Sequence, residues 1–242
     1  MYKSKNDADD DSVGSIFCLV PRLECVSTLF SWAVLFRIVA VRCYVGQQRL
    51  HKAIQAFGPE KVQVEWKPFQ IDPGTDLAGE TVDAYCRRRW GGAGWTNHLK
   101  SEGRKDGANF GNWKWWPATA KAHQLVQYCA QKDICSTDRV NALLFQAEYE
   151  QGENISLVDT LVKVGEQAGA TDLDELRTYL RHDQGKSQVD QEIASGRRRY
   201  GISGVPFFVV SGPDSSQRPY GFSGAQSSDT FVDVFQELAE KN

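Results

Sequence analysis

The succession of two periodicities constrains this chain most. A run rich in Val, Ile and Phe from Trp32 to Val41 has the near-continuous apolar character of a strand covered on both faces. From Cys43 to about Phe57 the repeat changes to three and four residues, through Gly46, Leu50, Ala53, Ile54 and Phe57, and Gly58-Pro59 stops it. Lys61 to Ile71 then alternates, with Val62, Val64, Trp66 and Phe69 suggesting one packed face, until Asp72-Pro73-Gly74 breaks the run. Strand, helix and strand this close in sequence make a βαβ unit, whose crossover should be right-handed.

From Gly74 to about Tyr200 the pattern is helical. Ala118, Ala122, Leu125, Val126 and Cys129 share one face, as do Val140, Leu143, Leu144 and Ala147. Ser156 with Asp159, and Asp172 with Glu175, have the spacing that satisfies the first amides of two further helices. Gly201 is placed to end a helix from about Lys186 to Tyr200. The glycine-rich stretch Gly91 to Trp116, with Trp113, Trp115 and Trp116, reads as a loop that packs its aromatics onto the core. Strands return at Pro206 to Val210 and Pro219 to Phe222 around a turn at Gly212-Pro213-Asp214. A last helix, about Ser228 to Lys241, presents Phe231, Val234, Phe235 and Leu238 on one face. The order is βαβ, a block of helices, then ββα.

Composition excludes several classes of function. With 242 residues, 41% of them hydrophobic and 24% charged, the chain is expected to fold as a globule. A net charge of -3 provides no field to hold a phosphate backbone, and the short basic run Arg197 to Arg199 reads as a solvated helix face, so nucleic acid is not an expected partner. No two of the six cysteines stand in a Cys-x-x-Cys pair, and the four histidines show no ligand spacing with them. A metal site is not expected, and a reducing, cytoplasmic setting fits best. The apolar stretch Leu29 to Val41 contains Arg37 and falls short of the roughly 20 apolar residues of a spanning helix. It follows the acidic flank Asn6 to Asp11, which is wrong for a secretory signal, so no membrane partner is expected. Residues 1 to 28 read as a polar tail without assigned function.

Three segments carry a family resemblance: Cys43-Tyr44-Val45-Gly46-Gln47-Gln48-Arg49-Leu50, Gly201-Ile202-Ser203-Gly204-Val205-Pro206-Phe207-Phe208, and Gly221-Phe222-Ser223-Gly224-Ala225-Gln226. Trp66-Lys67-Pro68-Phe69 and Ala122-His123-Gln124-Leu125 fall between them in the expected order. As a set they resemble the DsbA-like thioredoxin-domain family, in particular its FrnE-type branch, related to the hydroxychromene carboxylate isomerases and the kappa-type glutathione transferases. The resemblance implies an α/β thioredoxin fold with a large all-helical insertion: a core of residues 29–74 and 201–242, an insert of 75–200, and the tail before them.

It also implies a thiol-disulfide oxidoreductase acting on thiol-containing proteins, peptides or glutathione, with glutathione as a possible co-substrate and no tightly bound cofactor. Cys43 falls at the second cysteine of the family's Cys-Pro-Trp-Cys, which makes it the catalytic thiol. A helix start also favours its thiolate, although a buried cysteine serving as a small apolar residue has the same local sequence. Val205 and Pro206 match the family's cis-proline, whose preceding backbone pairs with an extended substrate. The first cysteine's position is Ala40, which can neither attack a disulfide nor supply the hydroxyl of the serine-bearing transferase branch. Dithiol exchange is therefore expected to be lost or reduced to monothiol chemistry. A glutathione-dependent transferase or isomerase and a non-catalytic binding protein are the alternatives. The change of character at residue 42 is what a misassigned coding start or splice junction would leave. His123 reads as a structural histidine at the core margin, and Gly224-Ala225-Gln226 as the turn before the last helix.

Overall fold

A computed structural model describes residues 30–36, 41–70, 72–212 and 218–240. The expected tail, Ala40 and the turn at Pro213-Asp214 lie outside the described residues. The main sheet has the order β2-β1-β5-β6, from strands β1 (Phe30–Phe36), β2 (Val62–Pro68), β5 (Phe207–Val210) and β6 (Tyr220–Ser223). β1 pairs in parallel with β2, from Phe30 opposite Val62 to Phe36 opposite Pro68. It pairs antiparallel with β5, Val34 opposite Phe208, and β5 pairs antiparallel with β6, Phe208 opposite Phe222.

Helix α1 (Val41–Phe57) supplies the crossover between β1 and β2. The strand expected over Trp32 to Val41 is thus offset: it begins two residues earlier, and Val41 already belongs to the helix. Cys43 consequently sits within the first turn rather than opening the helix. Gly58, at φ 128, and Pro59 end the helix, as the sequence indicates, because an L side chain resists that φ and proline lacks the amide that continuation requires.

Strand β5 shows how alternation divides the core. Phe208 and Val210 point to the cluster formed with α1 and with α9 (Ser228–Glu240), where Phe231 meets the Phe208 ring edge-on at 4.7 Å. Val209 points the other way, to Phe69 and Ile202. Both faces of β5 are therefore covered.

The intervening helices are α2 (Val82–Trp90), α3 (Trp95–Lys105), α4 (Ala120–Gln131), α5 (Thr137–Phe145), α6 (Val158–Ala168), α7 (Leu173–Arg181) and α8 (Lys186–Tyr200). A short bridge pairs β3 (Glu80–Thr81) with β4 (Trp115–Trp116). Two apolar clusters result. One, centred on Leu125, Leu144, Leu161 and Leu176, joins α4 to α7; the other extends the sheet's core through Tyr85, Phe110, Trp113 and Tyr149. α1 lies between these neighbours, with Phe57 on Phe235 of α9 and Tyr44 stacked on Tyr149, which explains why its first turns are buried nearly all round.

The caps at Asp172, which accepts from the Glu175 amide at 2.8 Å, and at Gly201, φ 62, fall where the sequence places them. Ser156 does not cap α6. Its hydroxyl instead accepts from the Ala118 amide at 2.9 Å, and a tertiary partner has replaced the local one. Nor is Gly91 to Trp116 a continuous loop, because α3 lies within it. Trp95, Leu99 and Gly103 repeat every four residues along α3, and Gly103 lets this helix press against Phe110 and Val45. The glycines obscured a helix that tertiary packing stabilises.

After α5 the chain continues as a π-helical segment, Gln146–Gln151, ending at Gly152 in the left-handed region. This segment buries Glu148 completely. Burial holds its carboxyl well above the usual carboxylate range, offset only in part by the Ile155 amide. The folded chain therefore keeps a proton that the unfolded chain gives up near pH 4.3, and stability falls as pH rises through that window. Glu148→Gln, which retains an acceptor and cannot ionise, should raise stability at pH 8 by roughly 1–3 kcal/mol and change it little at pH 4. Thermal melts at the two pH values check this, and an equal shift at both would contradict it.

Candidate active-site cleft

The three segments that stand far apart in sequence meet around α1. Gly46, one turn after Cys43, lies against the ring of Pro206: a Cβ there would be 3.3 Å from Pro206 Cγ and 3.4 Å from Phe208 Cζ. Val205 precedes that proline through a cis peptide bond. The Gly224 amide donates to Pro206 O at 2.8 Å, with Gly224 at φ 85, so the turn at 224–226 is stitched to the proline. Arg49 completes the junction. Its guanidinium donates to Ala225 O and pairs with Asp106 at 2.7 Å, tying α1 to the last turn and to the end of α3.

Cys43 is buried, with no exposed surface, in the first turn of α1. Its neighbours Val41, which is buried, and Arg42, which is exposed, line with Val205 a cleft of about 330 Å³. Much of the remaining lining is aromatic. Tyr85 stacks on Trp116 at 4.1 Å, and Trp90 stands edge-on to both Trp116 and Trp95, at 5.5 and 5.2 Å. Trp90 is 50% and Trp95 38% exposed, unusual for rings of this size. Three charged side chains line it as well: Arg42, Arg89, and Asp72, which accepts from the Tyr85 hydroxyl at 2.7 Å. Such a site can hold an extended or flat apolar group against backbone, with charge at the rim.

Sequence reasoning singled out Cys43, Val205 and Pro206 and did not find the aromatic wall. The available signal was on α2, where Tyr85 and Arg89 stand four apart, but the partners of this face come from residues 72, 95 and 116, which only folding assembles. His123 lies elsewhere. It is 3% exposed and its Nε2 is 3.2 Å from Phe69 O, so it holds α4 to the end of β2. Among the described residues no group of three or more His, Cys, Asp or Glu side chains could hold a metal ion, and no helix is long and apolar enough to cross a membrane.

Residues 39–236 match the family described as DSBA-like thioredoxin domain. The uncharacterized protein YwbO of Bacillus subtilis is 25% identical over 175 residues, covering 69% of this chain and 80% of that protein. A probable DsbA oxidoreductase from Streptomyces coelicolor superposes with a TM-score of 0.75 at 21% identity, over 88% of this chain and 91% of that one. The cytosolic disulfide reductase DsbM from Pseudomonas aeruginosa, solved with GSH, superposes with a TM-score of 0.56 at 15% identity, over 87% of this chain and 99% of that one. At these identities the structural likeness is one of fold.

Proposed function

This chain belongs to the DSBA-like thioredoxin domain family, and from that premise we propose that it is a thiol-disulfide oxidoreductase whose reaction centre is the junction of α1 with Val205 and Pro206. The observation that carries the reading is this junction: the first turn of α1 and the residue before a cis-proline line one aromatic-walled cleft. Residues 29–74 with 201–242 form the redox core in this reading, and 75–200 the insert that contributes the aromatic wall.

Cys43 has the resolving role. A helix start favours its thiolate through unpaired amides and the helix dipole, while its complete burial suits attack on a disulfide already held at the neighbouring position more than attack on a bulky substrate. Val205 presents backbone to an extended thiol peptide, and the GSH held by the DsbM neighbour supports glutathione as a co-substrate. The position that would carry the attacking thiol is Ala40. The chain as it stands therefore binds its substrate and exchanges disulfides weakly, through one thiol.

Insulin reduction tests this reading on the chain and on its Ala40→Cys variant side by side. The unaltered chain should stay near the uncatalysed rate, and the variant should exceed it by about tenfold or more. Cys43→Ala in the variant should trap the mixed disulfide. No gain from the added cysteine would refute the redox role. Thiol-independent turnover with bound glutathione would assign the cleft to a transferase or isomerase instead.

A further inference from the structure

A pair of thiols lies outside this cleft, in the helical insert. α4 ends at Gln131, and the chain reverses through Asp133, which adopts a left-handed φ of 53. The reversal is closed by hydrogen bonds from the Asp133 amide to Ala130 O, 3.2 Å, and from the Ile134 amide to Cys129 O, 2.9 Å. Cys135 is thereby carried back to the helix end that holds Cys129, and it packs against the same apolar cluster that contains Cys129. We propose that Cys129 and Cys135 are a redox-active dithiol, which forms an intramolecular disulfide by exchange with a small disulfide such as oxidised glutathione.

The two sulfurs differ in the way such a pair requires. Cys129 is fully buried against the cluster of Leu125, Leu144 and Leu161, whereas Cys135 is partly exposed. Cys135 also immediately precedes Ser136, the N-cap of α5; burial raises its thiol above the ordinary value, and the Arg139 guanidinium offsets this only in part. Burial opposes both ionisations and pushes the Cys129 thiol up to about 12, so Cys135 is the sulfur that attacks and Cys129 the one that resolves.

In the first step Cys135 thiolate attacks one sulfur of glutathione disulfide. The S–S bond breaks, one glutathione leaves as thiolate, and a mixed disulfide remains on Cys135. Cys129 then gives its proton to solvent base and attacks the Cys135 sulfur, releasing the second glutathione. Two electrons pass from the protein dithiol to the glutathione disulfide, and the two protons end on two glutathione thiols.

The sequence itself provides the readout. Trypsin cleaves after Lys121, Lys132 and Arg139, so Cys129 and Cys135 fall in different peptides, 122–132 and 133–139. The full chain is equilibrated in mixtures of reduced and oxidised glutathione, quenched in acid, alkylated, and digested without reductant. The crosslinked pair of these peptides should rise from near absence to the dominant form as the oxidised fraction increases, and should disappear again with dithiothreitol. Cys129→Ser should instead retain glutathione on Cys135. The proposal fails if both thiols stay alkylated in every mixture, if the unaltered chain stops at glutathionylated Cys135, or if Cys135 pairs with a different cysteine. Cys43 takes no part in this readout, so its outcome is separate from that of insulin reduction.

Discussion

Asp138→Ala should lower the unfolding free energy by about 3–5 kcal/mol, and the melting temperature by roughly 10 °C. The carboxylate stands in the first turn of α5 and holds three donors from other elements. Oδ1 accepts from Trp66 Nε1 at 2.7 Å and from Gln47 Nε2 at 3.1 Å, and Oδ2 is 2.9 Å from His51 Nε2. Trp66 and Gln47 are buried, so alanine strands two donors away from water. Asp138→Asn keeps one acceptor and should lose about half as much.

Acid provides a second test of the same carboxylate. Burial alone would raise its pKa, but the hydrogen bond and charge of His51, with the Gln47 and Trp66 bonds, outweigh burial and hold it below the usual range. A depressed folded value means that the contribution is complete above the unfolded pKa of about 3.9. It is lost as pH falls through the folded value. The gap between the unaltered chain and Asp138→Ala should therefore be open at pH 5 and close in stronger acid. Urea titrations at several pH values measure it, and a gap that widens in acid would contradict the assignment. Because Gln47 and His51 lie on α1 one and two turns after Cys43, this clamp also fixes the helical insert to the proposed reaction centre.

Gly103→Val should cost about 2–3 kcal/mol and loosen the cleft. A Cβ on Gly103 would lie 2.5 Å from Phe110 Cε2 and 3.0 Å from Val45 Cγ2. Both neighbours are buried: Phe110 packs edge-on to Tyr44, and Val45 belongs to α1. Neither can yield without moving its own element, so α3 must retreat from α1. Trp95 and Leu99 stand on the cleft-lining side of the same helix and would move with it. Gly103→Ala tests the balance, because its gain of about 1 kcal/mol in helix propensity opposes the same collision. A valine variant with unchanged stability and tryptophan emission would show that α3 does not depend on this approach.

Much of the fold was legible because its signals are local. The repeat from Gly46 to Phe57, the breaker Gly58-Pro59, the cap at Asp172 and the stop at Gly201 each act within a few residues of themselves. α3 escaped because its glycine, a poor helix former, is required by Phe110 and Val45 and not by its own turn. Ser156 misled for the corresponding reason: a cap-like hydroxyl found a better partner in Ala118, distant in sequence. Of the proposed site, Cys43, Val205 and Pro206 come from resemblance alone, and the aromatic residues lining the cleft were not reached at all.

Periodicity and turn chemistry alone determined the order of elements, the βαβ opening and the apolar faces, since backbone propensity and side-chain spacing act over a turn or a pleat. Tertiary structure decided which groups face one another: Trp90 and Trp95 with Val205 across a cleft, Asp138 with Trp66 and His51, and Cys135 turned back onto Cys129. The physical reason is that each of these pairings depends on the packing of separate elements or on a chain reversal. A thiol six residues from another carries no sign of proximity until a left-handed residue between them reverses the chain.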